Sequence, residues 1–494
     1  MDPTAPGDRP PEPERPPPPR PAWPPPPPWG PPPAPTVTPG WGPSPGPTGP
    51  PGWGVPGPGR PRRLAGWVVA GVAGLLVVAL VAVGLALRPA PRPAAPASRA
   101  LGQRPATSLP ADPDAALPKL LAKRAKAVLA RDRAAFLATV DKRQKSWYRS
   151  QATMFDNLRT VPFSDLAYRI LARRSEPDLR RHYHADRVDQ AQVQAKYRFQ
   201  GQDTSPVLAR DSFTFVLTGT RWRLAGNGGK ALAARDDHEI WDSGPVRTLR
   251  SARTLIVHHP GDDVLARRLL RVADRAYAQI GEAWTGPWER KAVILVPRDQ
   301  SEAERLVGAR DLSRVAAVAS SSVESGAADS VLGNRIVVNT DNVVGYNDLN
   351  LQILVTHEMT HVATRTLGPG VPLLLVEGFA DWAALKPVGF SVGSTRPALN
   401  QRVDSGRFDG LLPADSEFRG RDAAVAYDEG SAFCLWVANT FGVGKLRALY
   451  RKFRGPDPPG PSRLDSGFKD VLGISRKTAE RRWAAWVRDQ FRRS

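Results

Sequence analysis

His357 and His361 stand four residues apart with Glu358 between them, in the run His-Glu-Met-Thr-His. On a helix this spacing projects both imidazoles from one face, about one turn apart. Two ring nitrogens so placed can bind one Zn²⁺, and the intervening glutamate can reach a water on that metal. The sequence predicts such a helix. Leu349, Ile353, Leu354, His357, His361 and Val362 recur at three- and four-residue spacing. Asn347 and Asp348 precede the run as N-caps, and Gly368-Pro369 follows as a stop signal. Two imidazoles and a carboxylate inside an apolar stripe are costly unless each has a partner.

A second apolar segment supplies candidates. Leu373, Leu374, Leu375, Phe379, Ala380, Ala383 and Ala384 predict a mostly buried helix that carries Glu377 and Asp381 on one face, at i and i+4. Glu377 reads as a third ligand, since two His and one Glu leave the fourth position of a zinc site to water. Asp381 reads as the acceptor for the second ring N–H of a ligating histidine, which would fix its tautomer.

His-Glu-x-x-His followed by Glu-x-x-x-Asp on the next helix resembles the gluzincin zinc metallopeptidases. The stretch from about Asp237 to the C-terminus resembles the peptidase MA-like family. The run Tyr427-Asp428-Glu429-Gly430-Ser431-Ala432-Phe433, then Phe441-Gly442 and Leu446, shares in that resemblance. It implies that His357, His361 and Glu377 bind Zn²⁺, that Glu358 is the general base, and that Asp381 stands behind a ligand. The implied reaction is peptide-bond hydrolysis by a metal-activated water, in an endopeptidase. Tyr427 would stabilise an oxyanion, although a Tyr opening an amphipathic helix also reads as a packing residue. No Gly-x-Met-Glu-Asn type segment precedes the first helix, so aminopeptidase specificity is not implied. Residues 335–339 read as a strand, either an edge that pairs with an extended peptide or an ordinary core strand.

The elements that carry these residues occupy the end of a segmented chain. Of the first 63 residues 28 are proline, so residues 1–63 read as a disordered, polyproline-rich cytoplasmic tail. Residues 64–87 lack any charge or proline and are long enough to cross a bilayer. Arg60, Arg62 and Arg63 on the N-terminal side favour a single-pass signal anchor with its N-terminus in the cytoplasm. Residues 88–114 form a Pro/Ala-rich linker. Residues 115–230 predict a long helix to about Asp141 and then strands near 166–173, 192–200 and 212–225, the last a hairpin turning at Thr218-Gly219-Thr220. Helix followed by curved antiparallel sheet resembles the NTF2-like cone fold. Residues 237–494 complete an α+β chain, with strands at 255–257 and 292–296 around a helix over 264–284, a mixed sheet ahead of the zinc helices. His258 and His259 end a strand but are not needed as ligands. His182 and His184 lie among Arg180, Arg181 and Arg187 and read as a solvated cationic loop.

The single cysteine, Cys434, excludes an intrachain disulfide and reads as a small core residue. Net charge is +21, and the tail carries only six Arg against four acidic residues, so most of the charge lies beyond the span. Outside a cell that balance suits anionic lipids or acidic envelope polymers rather than nucleic acid. The Arg-, Ala-, Pro- and Gly-rich composition resembles that of an actinobacterium. The expectation is a membrane-anchored, extracytoplasmic zinc peptidase with a peptide or protein substrate. The alternatives are a non-catalytic envelope scaffold on a peptidase-like fold and an adaptor that works through its Pro-rich tail.

Overall fold

The computed structural model describes residues 112–228, 236–323, 331–368, 370–388 and 392–492. The expected tail (1–63), membrane span (64–87) and nearly all of the linker lie outside these residues. Among the described residues no helix is long and apolar enough to cross a membrane.

The first lobe opens with α1 (Pro113–Leu129), α2 (Arg133–Ala138) and α3 (Lys145–Leu158). One helix was expected as far as Asp141, but it breaks at Arg131, which has φ +54°. Asp132 then caps α2 by accepting from the Ala135 N–H. The apolar period continues across the break, so hydrophobicity alone did not reveal it. Four strands follow as an antiparallel meander: β1 (Phe163–Ser175), β2 (Arg187–Phe199), β3 (Val207–Thr218) and β4 (Arg221–Asn227). Register shifts at Phe163/Asp165, Ile170/Ala172 and Thr214/Phe215 bend the sheet. Gly219, at φ +58°, closes the β3–β4 hairpin where the sequence placed it. His182 and His184 are exposed, as expected.

The second lobe holds a five-stranded sheet of order β5-β6-β7-β9-β8. Its strands are β5 (Arg247–Arg250), β6 (Thr254–His258), β7 (Ala292–Val296), β8 (Ala317–Val323) and β9 (Val331–Val338). β6, β7 and β9 run parallel, and β5 and β8 are antiparallel edges, which gives the expected mixed sheet. The strand at 335–339 is therefore a core strand; the edge belongs to β8. Every residue of β6 and β7 is buried, as suits strands covered on both faces. Ile256, Ile294, Val296, Ile336 and Val338 pack toward the helices. Leu255, Val257, Val293, Leu295 and Val337 share a cluster with Phe136, Phe155, Tyr197, Phe199 and Trp241 of the preceding lobe and the segment that follows it.

The helical side is built on α4 (Asp263–Ala283), α5 (Asp348–Thr364) and α6 (Leu373–Leu385). It continues with α7 (Ala423–Phe441), α8 (Val443–Lys452), α9 (Pro461–Leu472) and α10 (Arg476–Arg492). α4 buries Ala266, Leu269, Val272, Ala273, Ala276 and Ile280, a single face at helical spacing. Cys434 is fully buried on α7.

Candidate metal centre

α5 starts where the Asn347 side chain accepts from the Asn350 N–H at 2.9 Å. Every residue from Leu351 to Thr364 is buried, so the helix runs through the interior rather than over its surface. That setting desolvates His357 and Glu358 completely and leaves His361 8% exposed. Their polar atoms must find partners inside.

The partners come from α6, which is held in place by a close crossing with α7. A Cβ on Gly378 would meet the Gly430 carbonyl oxygen of α7 at 2.3 Å, so the helices cross only with glycine there. Glu377 precedes that crossing and Asp381 follows one turn later. The result is a tight convergence. His357 Nε2 lies 3.0 Å from His361 Nε2, and Glu377 Oε2 lies 3.4 Å from each. Ligand atoms on a tetrahedral Zn²⁺ stand about 3.3–3.5 Å apart. Among the described residues this is the one set of three His, Cys, Asp or Glu side chains whose ligand atoms converge in this way.

Asp381 Oδ1 stands 2.8 Å from His357 Nδ1. With the proton on Nδ1 the bond is N–H to carboxylate, and the Nε2 lone pair faces Glu377. Burial alone would depress the pKa of His357, but the bond to Asp381 and the adjacent Glu377 carboxylate outweigh it and raise it well above its usual value. Burial would raise Glu377; the charge of His361 and the close approach of both imidazoles overcome it and pull it down to about 2. Both Glu377 oxygens still lack a hydrogen bond, and so do both Glu358 oxygens. Orphaned buried carboxylate atoms beside two imidazoles fit a divalent cation, which would give Glu377 a partner and offset the negative charge of the cluster.

Glu358 is raised by burial, with the fields of His357 and His361 drawing it partly back. The N–H of edge residue Ala319 lies against its carboxyl and acts in the same direction, without reaching the geometry of a full hydrogen bond. Tyr427, near the start of α7, is 5% exposed and packs edge-on against Phe418, with ring centroids 5.3 Å apart. Burial raises its pKa, and the charges of Glu377, Asp381 and Glu358 raise it further. It is thus a packing residue that also lies within the field of the centre.

His258 and His259 stay out of the cluster. His259 is held between the Pro245 carbonyl and Glu302, at 2.9 Å each, and His258 Nδ1 reaches the His259 carbonyl at 2.8 Å. Two cations of the centre were not foreseen. Arg365 lies one turn beyond His361, at the end of α5. Arg396, 3% exposed, donates to Ser431 Oγ at 2.8 Å and feels the fields of Asp381 and Asp428. The i, i+4, i+8 spacing of His357, His361 and Arg365 carried a signal for the first; nothing periodic marks the second.

No family model matches the chain, and no curated protein matches it. Weak structural neighbours are M1 zinc metallopeptidases from Deinococcus radiodurans. One, a variant with a Tyr-Ser-Ala substrate bound, aligns at TM-score 0.26 and 16% identity over 49% of this chain and 52% of the other. The same kind of variant without substrate aligns at 0.29 and 13%, over 66% and 62%. The chain thus spans about half the length of the first and under two thirds of the second. Likeness at that level carries no functional weight.

Proposed function

We propose that this chain is a zinc-dependent peptidase of gluzincin type. The observation that carries the reading is the convergence of His357, His361 and Glu377 beside the unsatisfied carboxyl of Glu358. His357, His361 and Glu377 would hold the ion, and Asp381 would keep the His357 proton on Nδ1. Zinc, when bound, supplies Lewis-acid polarisation of a carbonyl and of water. Glu358 has no competing hydrogen bond among the described residues, which leaves its carboxyl free to take a proton from water and return it to a leaving amine. Tyr427 would support charge on a substrate oxygen, a role that rests on its lying within the field of the centre. The outer strand β8, whose residue Ala319 lies against Glu358, would offer backbone groups to an extended peptide.

The rest of the proposal follows from the sequence. The apolar run at 64–87 would anchor the chain in the cell membrane with residues 115–494 outside the cytoplasm. The helices and curved sheet of the first lobe support an NTF2-like reading of that lobe as a binding or spacing module. The net charge of +21 suits attachment to anionic envelope polymers or lipids.

The full-length protein should bind one zinc and cut members of a peptide library. Glu358→Gln should keep the zinc and lose about 10²–10⁴-fold in kcat. His361→Ala should lose both metal and activity. A wild type with no more zinc than His361→Ala would end the metal assignment. Zinc binding without cleavage of any peptide would favour an envelope scaffold on a peptidase-like fold.

A further inference from the structure

Arg365 closes α5 on the face that carries His357 and His361. Among the described residues its hydrogen bonds go to neutral acceptors only. One Nη donates to Asn334 Oδ1 of β9 at 3.0 Å, and the other to the Ala319 carbonyl of β8. None of the ion pairs among the described residues includes it, and the acidic group whose field reaches it is Glu358. Enclosure pulls its pKa down to about 10, with Glu358 acting against that pull. Arg365 is half-buried, and a guanidinium held beside such a centre is often matched by a carboxylate in ion-pair contact. Among the described residues no carboxylate takes that place.

The position gives the imbalance a meaning. β8 is the outer strand of its sheet, and Ala319 holds its carbonyl toward Arg365 and its N–H against Glu358. An extended peptide pairing with this edge needs the same carbonyl as an acceptor. Its arrival would displace the Arg365 guanidinium from Ala319 and leave it with Asn334. Glu358 cannot fill the gap while it serves as the base. A carboxylate on the incoming peptide can, in the two-pronged geometry that guanidinium favours.

We propose that Arg365 determines specificity in this centre by pairing with a carboxylate carried close to the scissile bond, so that the preferred substrates are acidic there. The inference rests on reading the centre as a peptidase. The carboxylate can be an Asp or Glu side chain or a free C-terminus, and the chemistry at Arg365 is the same for both.

The test uses full-length, zinc-loaded protein and fluorogenic peptides that differ only in Asp or Asn beside the scissile bond, each as C-terminal acid and as amide. Wild type should favour the peptide with the extra carboxylate by about tenfold or more in kcat/KM, mainly through KM. An Asp-over-Asn preference among amides identifies a side chain; an acid-over-amide preference among Asn peptides identifies a C-terminus. Arg365→Gln keeps a donor for the Ala319 carbonyl but no charge, and should erase the preference with zinc content unchanged. Arg365→Lys should restore part of it, which a simple strut between helix and sheet would not require. Equal rates for all four peptides, or a preference that survives in Arg365→Gln, would overturn the proposal and leave the peptidase reading standing. If wild type cuts none of them, that reading fails instead. Fluorescence anisotropy of the labelled peptides on zinc-loaded Glu358→Gln then decides: tighter binding of the acidic members that disappears on adding Arg365→Gln sustains the role of Arg365, and indifference ends it.

Discussion

The Nδ1 of His357 has an acceptor at 2.8 Å, Asp381 Oδ1, and that bond decides which ring nitrogen faces Glu377. Replacing the carboxylate with an amide keeps the shape but removes the charge that holds the proton on Nδ1. Asp381→Asn should therefore weaken zinc binding by about 10–100-fold while α6 stays folded. Competition with a chromogenic chelator measures this, and unchanged affinity would remove Asp381 from the centre. His357, Glu358, His361, Glu377 and Asp381 were all legible in the sequence because their spacing is a local property of two helices. Arg365 shared that periodicity, but a cation at a helix C-terminus reads equally well as a partner for the dipole. Arg396 reaches Asp381 from outside any periodic segment, and only tertiary packing brings it there.

At the scale of elements, the centre depends on how closely α6 and α7 cross. Gly378 and Gly430 face each other there: a Cβ on Gly378 would fall 2.3 Å from the Gly430 carbonyl and 2.9 Å from Cys434 Sγ. Relief of that clash requires one of the two helices to shift, and α6 carries Glu377. Gly378→Ala should thus cost about 1–3 kcal/mol of stability by overpacking. Because Glu377 is the adjacent residue, zinc affinity should fall with it. Thermal unfolding with and without excess zinc separates the two effects; a variant that unfolds like wild type would show the crossing to be looser than it looks. The helices themselves were readable from apolar spacing, and so were β6 and β7. The position of β9 inside the sheet was not, because an apolar run is the same in a core strand and an edge strand until its neighbours are known. The break at Arg131 escaped for a similar reason, since the buried face of α1 continues into Phe136 and Leu137.

The two lobes, read from the sequence as consecutive domains, meet across one face of the five-stranded sheet in a shared apolar cluster. No local pattern announces this, since each sheet's alternation looks complete alone. Several polar contacts span the junction, among them Asn157 Nδ2 to the Trp241 carbonyl and Tyr197 to Glu239, and one of them is a buried ion pair. Arg335 on β9 donates both terminal nitrogens to Asp203, just after β2, at 2.7 and 2.8 Å, with its guanidinium 4.5 Å above the Phe199 ring. The side chains are only 7% and 5% exposed. Burial would lower the Arg335 pKa, but Asp203 outweighs it and raises the group above its usual value. Desolvation makes the contact asymmetric under mutation. Asp203→Ala leaves a buried cation without its carboxylate and also strips the acceptor from the Phe199 N–H, so it should cost about 3–5 kcal/mol. Asp203→Asn with Arg335→Met removes both charges, keeps an acceptor for Phe199 and lays an apolar chain on its ring. This double variant should lie closer to wild type than the single, an ordering that chemical denaturation can read directly. The shape of the transition carries the larger point. If the shared core makes the lobes one cooperative unit, wild type unfolds in a single step, and Asp203→Ala should lower that step or split it in two. A single variant within about 0.5 kcal/mol of wild type would mean that the apolar cluster and the remaining hydrogen bonds join the lobes and the ion pair merely sets their register.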